Sequence, residues 1–185
     1  IGNLGSRENI LKAKLEILEG LQKGGYLIIN NDNDLLNKWQ KENKEYNVIT
    51  FGIENDSKYL ARNIEYTTSG SKYELIKNGE KEDEICVPVG GEAFVYNSLA
   101  GICVGELLNI PIEKIKQGIQ KFELSKMRLD VEKTQEGYTI INDCYNANYD
   151  SMKSAIEFLK NSEGKRKIAV LGDMLELGEY SQELH

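Results

Sequence analysis

Twice along this chain, a short apolar run is followed by an amphipathic segment and then by a second apolar run. The first set is "YLIIN", "DLLNKWQKE" and "YNVITFG" within residues 26–52, and the second is "YTIIN", "DSMKSAIEFLKN" and "KIAVLGD" within residues 138–173. A strand, a helix and a second strand in this order form a parallel βαβ unit, in which the helix crosses over the sheet. The two sets therefore predict an α/β fold built on parallel sheets.

The pattern between these two sets is different. Residues 58–89 are rich in β-forming residues and contain Asn78-Gly79, a pair typical of a two-residue hairpin turn. This predicts a small antiparallel β subdomain attached to the first parallel sheet. Because the strand and helix pattern restarts after Phe122, we place a boundary near residues 124–128, which gives predicted domains of residues 1–125 and 126–185.

Charge and hydrophobicity exclude several classes of protein. The 23 Lys and Arg residues are outnumbered by 30 Asp and Glu, and the formal net charge is -7. Because the lysines alternate with glutamates instead of forming a basic stripe, we expect no nucleic acid partner. No apolar run approaches the roughly 20 residues that span a bilayer, and the N-terminus lacks the pattern of a signal peptide. We therefore expect a cytoplasmic protein without a membrane partner.

The cysteines and the single histidine limit the possible chemistry. Cys86, Cys103 and Cys144 are widely spaced and form no CxxC pair, so neither a disulfide framework nor a zinc site is expected, and buried thiols are predicted. The only histidine is His185, the last residue of the sequence. We therefore expect no Ser/His or Cys/His catalytic arrangement within this chain, and acid, base or metal chemistry falls to carboxylates, lysine or water.

Small polar side chains are concentrated directly after the apolar run at 138–142. They are Asp143, Asn146, Asn148, Asp150 and Ser151. Open α/β sheets bind ligands at the carboxyl ends of their strands, where Asp143 lies, and Asp173 is expected at the equivalent place after the next parallel strand. The two carboxylates would then lie at the same edge of the sheet. Loop and capping preferences explain the same residue types, with Asp150 or Ser151 as the helix cap.

Lys14 lies in the middle of the apolar face of the first predicted helix, which begins at its N-cap Ser6. Its neighbours on that face include Ile10, Leu11 and Leu18. One interpretation is a lysine whose stem packs while its amine reaches water. The other is a partly shielded amine whose lowered pKa leaves it neutral often enough to react, for example with carbon dioxide. The resulting carbamate would be an anionic oxygen ligand suited to Mg²⁺.

Two further residues are candidates for nucleotide contacts. Arg128 lies at the predicted domain junction, where its planar guanidinium suits a phosphate, although a solvated surface arginine explains it equally well. Asn97 follows Gly90-Gly91 near the start of a predicted helix and could read a base edge with its amide, whereas ordinary helix-start chemistry explains the glycines. Neither GxxxxGK[ST] nor GxGxxG occurs in the sequence, so it supplies no phosphate-binding loop.

Five segments, in order, resemble the signature segments of the Mur ligase family. They are "GSRENILKAKLEIL", "GGEAFVYNSLAG", "MRLD", "INDCYNANYDSM" and "IAVLGDMLELGEYS". The resemblance implies a central ligase domain, present in part, followed by the start of a Rossmann-like C-terminal domain. It also implies an ATP- and Mg²⁺-dependent amide ligase that adds D-Ala-D-Ala to a UDP-N-acetylmuramoyl tripeptide through an acyl phosphate, in peptidoglycan synthesis.

The resemblance also assigns site residues. The carbamoylated lysine of the family, which supports Mg²⁺, corresponds to Lys14, the lysine that the helical pattern had singled out. The adenine-contacting asparagine corresponds to Asn97, the phosphate-contacting arginine to Arg128 and the ribose-binding aspartate to Asp143. Tyr145, Asn146 and Asn148 belong to the same loop as Asp143, and we expect them to complete the nucleotide and interdomain surface.

The sequence also departs from the family pattern. The UDP-binding domain and the phosphate-binding loop are missing, and Ala93 and Phe94 replace a His-Asn pair that is common in relatives. We therefore expect a fragment that does not turn over substrate by itself. The alternatives are another Mur ligase, folylpolyglutamate synthase, or a non-catalytic α/β binding module that kept the fold.

Overall fold

Five strands form one mixed sheet in the computed structural model, which describes residues 4–67, 69–124, 127–175 and 177–185. In spatial order they are β1 (Tyr26–Asn30), β2 (Asn47–Gly52), β3 (Tyr59–Thr67), β4 (Gly70–Lys77) and β5 (Glu80–Val87). β1, β2 and β3 run parallel, whereas β3, β4 and β5 run antiparallel. The predicted parallel unit, with α2 (Asp34–Glu42) between β1 and β2, is confirmed, and so is the antiparallel subdomain attached to it.

The turn between β4 and β5 has the conformation that its two residues favour. Asn78 and Gly79 have φ angles of 52° and 86°, and the flanking residues Lys77 and Glu80 pair across the turn. A two-residue turn with both φ angles positive matches the twist of the strands it joins, and asparagine followed by glycine adopts it with little strain. The predicted hairpin is therefore confirmed.

The core lies between the sheet and α3 (Glu92–Leu107). This helix buries Val95, Leu99, Ile102 and Cys103, which recur at the spacing of one helical face. They pack against fully buried strand residues, of which the largest are Tyr59, Tyr73, Leu75 and Ile85. The Tyr73 hydroxyl lies 2.7 Å from Ser98 Oγ, so these two buried polar groups are paired with each other.

α4 (Ile112–Gln120) packs beside α3 and completes this half of the chain. Ile115, its one buried residue, lies against Gly105 of α3, where a Cβ atom would come within 2.6 Å of the isoleucine side chain. The glycine thus lets the two helices approach closely. Lys116 forms an ion pair with Asp83 of β5 at 2.8 Å, which ties α4 to the edge of the sheet.

The N-terminal helix is shorter than its sequence pattern predicts. α1 (Arg7–Leu15) begins at Ser6, whose hydroxyl accepts the backbone N–H of Asn9 at 3.1 Å, so the predicted N-cap is confirmed. The chain then tightens into a 3-10 helix at Glu16–Gly20. None of the residues of α1 is buried, and Ile17 is 66% exposed, because little of the described chain covers this apolar face.

The second half of the chain differs more from the prediction. β6 (Asp130–Lys133) and β7 (Thr139–Asn142) pair antiparallel, joined by a turn in which Gly137 has a φ of 85°, and α5 (Tyr149–Asn161) follows. The predicted parallel strand at residues 167–173 is wrong. No described strand pairs with this segment, and Val170 is 94% exposed. The chain ends in a 3-10 helix (Gly178–Tyr180) and α6 (Ser181–Leu184).

Several sequence-based expectations lie outside the described residues. The predicted boundary between residues 125 and 126 is one of them, and Glu176 within "LGDMLELGE" is another.

None of the helices in the described ranges has the length and apolar character needed to cross a membrane. The prediction of three buried thiols is right for Cys103 but wrong for Cys86 and Cys144, which are exposed.

Candidate functional site

The loop that follows β7 is organised by Asp143. Its Oδ1 accepts the backbone N–H of Leu129 at 3.0 Å, across to the segment that precedes β6. Leu129 has a φ of 45°, which an L residue adopts only where the surrounding contacts hold it. Asp143 is half-buried, and no described donor reaches its second oxygen, Oδ2. One carboxylate oxygen therefore fixes the loop, and the other is available to accept a hydrogen bond from a ligand.

Arg128 and Tyr145 form the second element of this site. The guanidinium of Arg128 lies 4.0 Å from the centre of the Tyr145 ring, a cation–π distance. The backbone N–H of Tyr145 donates to the carbonyl of Met127 at 3.1 Å, which holds the ring beside the arginine. Both side chains are exposed. Stacking limits the rotamers of Arg128 while its N–H groups remain open to an anion.

Asn146 and Asn148 belong to the same loop but have local partners. Asn148 is the N-cap of α5: its Oδ1 accepts the N–H of Ser151 at 2.9 Å, and the Ser151 hydroxyl accepts the N–H of Asn148 at 3.0 Å. The expectation that Asp150 or Ser151 caps this helix is therefore wrong, since Ser151 only completes a reciprocal box. Asn146 Oδ1 accepts the N–H of Ala147, and its amide is exposed.

The structure brings Asp143, Arg128 and Tyr145 together, but it places Asp173 differently. Asp173 lies in a segment that is neither helix nor strand and pairs with no described strand, so two carboxylates do not meet at neighbouring parallel strand ends as predicted. The reason is physical: a strand needs a neighbour to satisfy its backbone hydrogen bonds. What remains is a site with one carboxylate, built on the β6–β7 hairpin and the start of α5.

Asn97 lies on a different element, α3, and its side chain is exposed. Ser71 holds the start of this helix, because its hydroxyl donates to the carbonyl of Val89 and accepts the N–H of Gly91, both at 3.1 Å. Gly91 has a φ of 123°, which disfavours any residue with a side chain. Within the described ranges, no hydrogen bond joins Asn97 to Arg128 or Asp143.

The two halves of the chain meet at the start of α3. Phe158 of α5 is buried, and its ring lies 3.2 Å from the position that a Cβ atom would take on Gly90. Glu92 lies nearby, and its pKa is raised by burial and by the carboxylates of Glu54 and Glu157, while Lys153 opposes them. Glu157 and Lys153 of α5 therefore affect the pKa of a residue on α3, the helix that carries Asn97.

Sequence reasoning missed Asp32, which lies just beyond the carboxyl end of β1. Its carboxylate accepts four hydrogen bonds, from the backbone N–H groups of Ile53, Glu54 and Asn55 and from the hydroxyl of Tyr96. Burial alone would raise the pKa of this carboxyl, but the four hydrogen bonds outweigh burial and lower it. The signal was present in "NNDND", which follows the first apolar run as "NDCYN" follows a later one.

Lys14 lies on α1, as the helical pattern predicted, and its side chain is exposed. The described residues therefore agree with the interpretation in which its amine reaches water, and they do not supply the shielding that the other interpretation requires. Among the residues that the structure describes, no group of three or more His, Cys, Asp or Glu side chains could hold a metal ion. The described chain alone therefore does not fit a complete magnesium site, because Mg²⁺ requires several oxygen ligands in octahedral geometry.

Comparison with known proteins assigns both halves of the chain. Residues 1–105 match the Mur ligase middle domain, and residues 127–185 match the Mur ligase glutamate ligase domain. The UDP-N-acetylmuramoyl-tripeptide–D-alanyl-D-alanine ligase of Bacillus subtilis is 38% identical over 99% of this chain, which covers 39% of that protein. The ligase of the same name from Buchnera aphidicola is 39% identical over 91% of this chain, which covers 36% of that protein.

A solved structure shows the same fold. MurF from Acinetobacter baumannii superposes with a TM-score of 0.89 at 27% identity, over 99% of this chain and 39% of that one. The chain thus spans less than half the length of the relatives that it matches. The likeness includes both the five-stranded sheet and the β6–β7 hairpin, since it extends over nearly all residues.

Proposed function

Because the chain belongs to the Mur ligase family, we propose that it forms part of an ATP-dependent ligase that joins D-Ala-D-Ala to a UDP-N-acetylmuramoyl tripeptide in peptidoglycan synthesis. The observation that carries the proposal is the 38% identity to the Bacillus subtilis ligase of that name over 99% of this chain. A division into a middle domain of residues 1–125 and a C-terminal domain of residues 126–185 is part of the same proposal.

In this proposal the loop after β7 binds the ribose and phosphates of ATP. Asp143 accepts a hydrogen bond from a ribose hydroxyl on Oδ2 while Oδ1 keeps Leu129 in place. Arg128, stacked on Tyr145, presents its N–H groups to a phosphate. Asn146 contributes its exposed amide to the rim, and Asn148 positions the loop through its cap on α5.

Asn97 is proposed to recognise adenine. Its amide can donate to one atom of the base edge and accept from another, which distinguishes adenine from a base with a 6-oxo group. Its position on α3 matters, since α3 packs across the sheet and is buried along one face. A rigid helix gives a side chain a more defined direction than a loop does.

The proposed reaction has two steps. A carboxylate oxygen of the peptide attacks the γ-phosphorus of ATP, ADP leaves, and an acyl phosphate forms. The amine of D-Ala-D-Ala then attacks the acyl carbon and loses a proton, and inorganic phosphate leaves from the tetrahedral intermediate as the amide forms. The contribution of this chain is to bind and orient the nucleotide, which accounts for most of the catalysis in phosphoryl transfer.

Lys14 is proposed, as a carbamate, to provide one oxygen ligand for Mg²⁺. The proposal rests on its match to the family lysine, because the described residues supply neither its shielding nor the remaining ligands. We expect Lys14→Ala to abolish ligation by the complete gene product, and bicarbonate to raise the activity of the wild type alone. Full activity of the variant would remove Lys14 from the mechanism.

The function is tested by assaying the complete gene product for phosphate release. We expect release to require ATP, UDP-muramoyl tripeptide and D-Ala-D-Ala together, and other dipeptides to be poor substitutes.

Arg128→Ala is expected to lower kcat/KM for ATP about 10- to 100-fold, which corresponds to the loss of one charge-assisted contact. Arg166→Ala removes an exposed arginine of the same half and serves as the control. Phosphate release without the dipeptide, or equal effects of the two variants, would contradict the proposal.

A further inference from the structure

The Asp32 carboxylate joins three separate segments of the first half of the chain. Oδ2 accepts the N–H of Ile53 at 2.5 Å, the N–H of Glu54 at 3.1 Å and the hydroxyl of Tyr96 at 2.9 Å, and Oδ1 accepts the N–H of Asn55 at 2.6 Å. Asp32 itself follows β1, residues 53–55 follow β2, and Tyr96 lies on α3. One anionic group therefore ties α3 to the carboxyl edge of the parallel strands.

Tyr96 has few ways to move while this contact is made. Its ring is half-buried and lies edge to face with Phe51, at 6.5 Å between ring centres and 62° between planes. Phe51 is itself a core residue of β2. With the ring held by Phe51 and the hydroxyl by Asp32, rotation of this part of α3 about its own axis is fixed. Asn97 is the next residue on the helix, so the same contacts hold its Cα atom and the direction of its Cα–Cβ bond.

The loops that Asp32 joins have other support, so the link to α3 is not needed simply to keep them folded. Asn37 Nδ2 donates to both the backbone carbonyl and the side chain of Asn31, at 3.0 and 2.9 Å. Asn31 in turn donates to the carbonyl of Asp56 at 2.8 Å, and Asn55 donates to the carbonyl of Asn31 at 3.2 Å. This network of asparagines holds the loops after β1 and β2 together without using Tyr96.

We propose that Asp32 is a positioning residue for nucleotide binding, which it serves by holding the Tyr96 hydroxyl and so directing Asn97 towards the adenine edge. The inference rests on the proposed function, in which Asn97 reads the base. Asp32 makes no contact with the nucleotide in this account. Its effect passes through one side chain, and therefore it can be interrupted at that side chain without disturbing the three backbone hydrogen bonds.

The test uses Tyr96→Phe in the complete gene product, because this change deletes only the hydroxyl. We expect KM for ATP to rise about 3- to 10-fold, because only part of the free energy of a charge-assisted hydrogen bond is passed on to nucleotide binding. The kcat at saturating ATP and the melting temperature should stay nearly unchanged. The preference for ATP over ITP, which carries a 6-oxo group, should fall. A purely structural role would lower stability without changing this preference.

Tyr59→Phe is a matched control. The Tyr59 hydroxyl donates to the carboxylate of Glu106, which lies on α3, the helix that carries Tyr96. This hydrogen bond is 2.9 Å long, as is the one from Tyr96 to Asp32. Glu106 lies at the other end of α3 from Asn97. We expect Tyr59→Phe to leave the ATP preference at the wild-type value. If both tyrosine variants change the preference equally, or neither changes it, the positioning role is wrong.

Asn97→Ala distinguishes the adenine contact of Asn97 from the positioning role of Asp32. If Asn97 reads adenine, this variant loses the preference for ATP, and adding Tyr96→Phe to it has no further effect on KM. Additive effects in the double variant would overturn the route through Asn97. If Asn97→Ala keeps the wild-type KM and preference, the adenine assignment in the proposed function fails. If Asn97→Ala loses them while Tyr96→Phe does not, only the positioning role fails.

Discussion

Among the glycines for which the structure gives the surroundings of an added Cβ atom, Gly90 has the closest contact. It lies in the loop before α3, where the two halves of the chain meet. A Cβ atom on Gly90 would lie 1.9 Å from the backbone carbonyl oxygen of Thr67 and 3.2 Å from the Phe158 ring. Ordinary van der Waals contact begins near 3.4 Å, so Gly90→Ala forces the loop and the end of β3 apart.

The cost of this change follows from what has to move. Overpacking in a well-packed region costs about 1–3 kcal/mol when side chains can adjust. On Gly90 the closest atom belongs to the backbone of a strand, so adjustment displaces hydrogen-bonded structure. We therefore expect Gly90→Ala to lower the free energy of unfolding by about 3 kcal/mol, at the upper end of that range.

Gly101→Ala is the matched control for this prediction. Gly101 is exposed on α3, and nothing lies within 4 Å of the position of its Cβ. Alanine in a helix interior is more favourable than glycine by roughly 0.5–1 kcal/mol, so this variant should be stabilised. Urea unfolding followed by far-UV circular dichroism and by the fluorescence of Trp39, the single tryptophan, measures both changes. A Gly90→Ala midpoint at or above the wild type would refute the packing described at the start of α3.

Three further predictions concern burial, charge and capping. Burial raises the pKa of the Cys103 thiol to about 12. At pH 8 a thiol reagent should therefore modify Cys86 and Cys144 rapidly, but Cys103 only after unfolding. Rapid modification of Cys103 in the folded protein would contradict its burial. The pKa of Asp32 is lowered below its ordinary value of 3.8 in the folded chain. Its contribution to stability is therefore present above that value and lost as the pH falls further, and Asp32→Asn should flatten the acid side of the stability profile measured by urea unfolding. Asn148→Ala should destabilise α5 by about 1 kcal/mol through the lost cap, whereas Asn148→Asp keeps the acceptor; equal thermal unfolding of both variants would contradict the capping role.

The local features of the fold could be predicted from the sequence because they depend on neighbouring residues. The Ser6 cap and the Asn78-Gly79 turn each require only the chemistry of two or three adjacent positions. The parallel pair β1 and β2 followed from two apolar runs separated by a helical segment. The cap and the turn have their hydrogen-bond partners within four residues, and the pairing of β1 with β2 follows from a βαβ pattern that falls within residues 26–52.

Features that depend on distant partners could not be predicted. The segment 167–173 has the composition of a strand, but no described strand pairs with it. Lys14 lies on an apolar stripe, but a stripe buries a side chain only when something packs against it. Asp32 was missed because its donors lie between 21 and 64 residues away in the sequence, where no pattern connects them to it.

The candidate site shows the same division. The density of polar residues after an apolar run points to Asp143 and Asn148, whereas Tyr145 is indicated only by the family resemblance. The structure gives Asp143 and Asn148 specific hydrogen bonds. The stacking of Arg128 on Tyr145 was not predicted, since it depends on how the hairpin folds back on the loop. The composition of a loop therefore indicates a site, and the fold decides which side chains remain available to a ligand.

The most direct test of the account is a calorimetric titration of the complete gene product with ATP, comparing Asp143→Asn with Asp150→Asn. Asp143→Asn can keep the acceptor for Leu129 while it loses the carboxylate oxygen proposed for the ribose. We predict that it weakens ATP binding by about 1–3 kcal/mol, or roughly 5- to 150-fold in Kd. Asp150→Asn, in the first turn of α5, should bind as the wild type does. An Asp143→Asn protein that binds ATP with wild-type affinity would contradict the nucleotide site proposed for this loop.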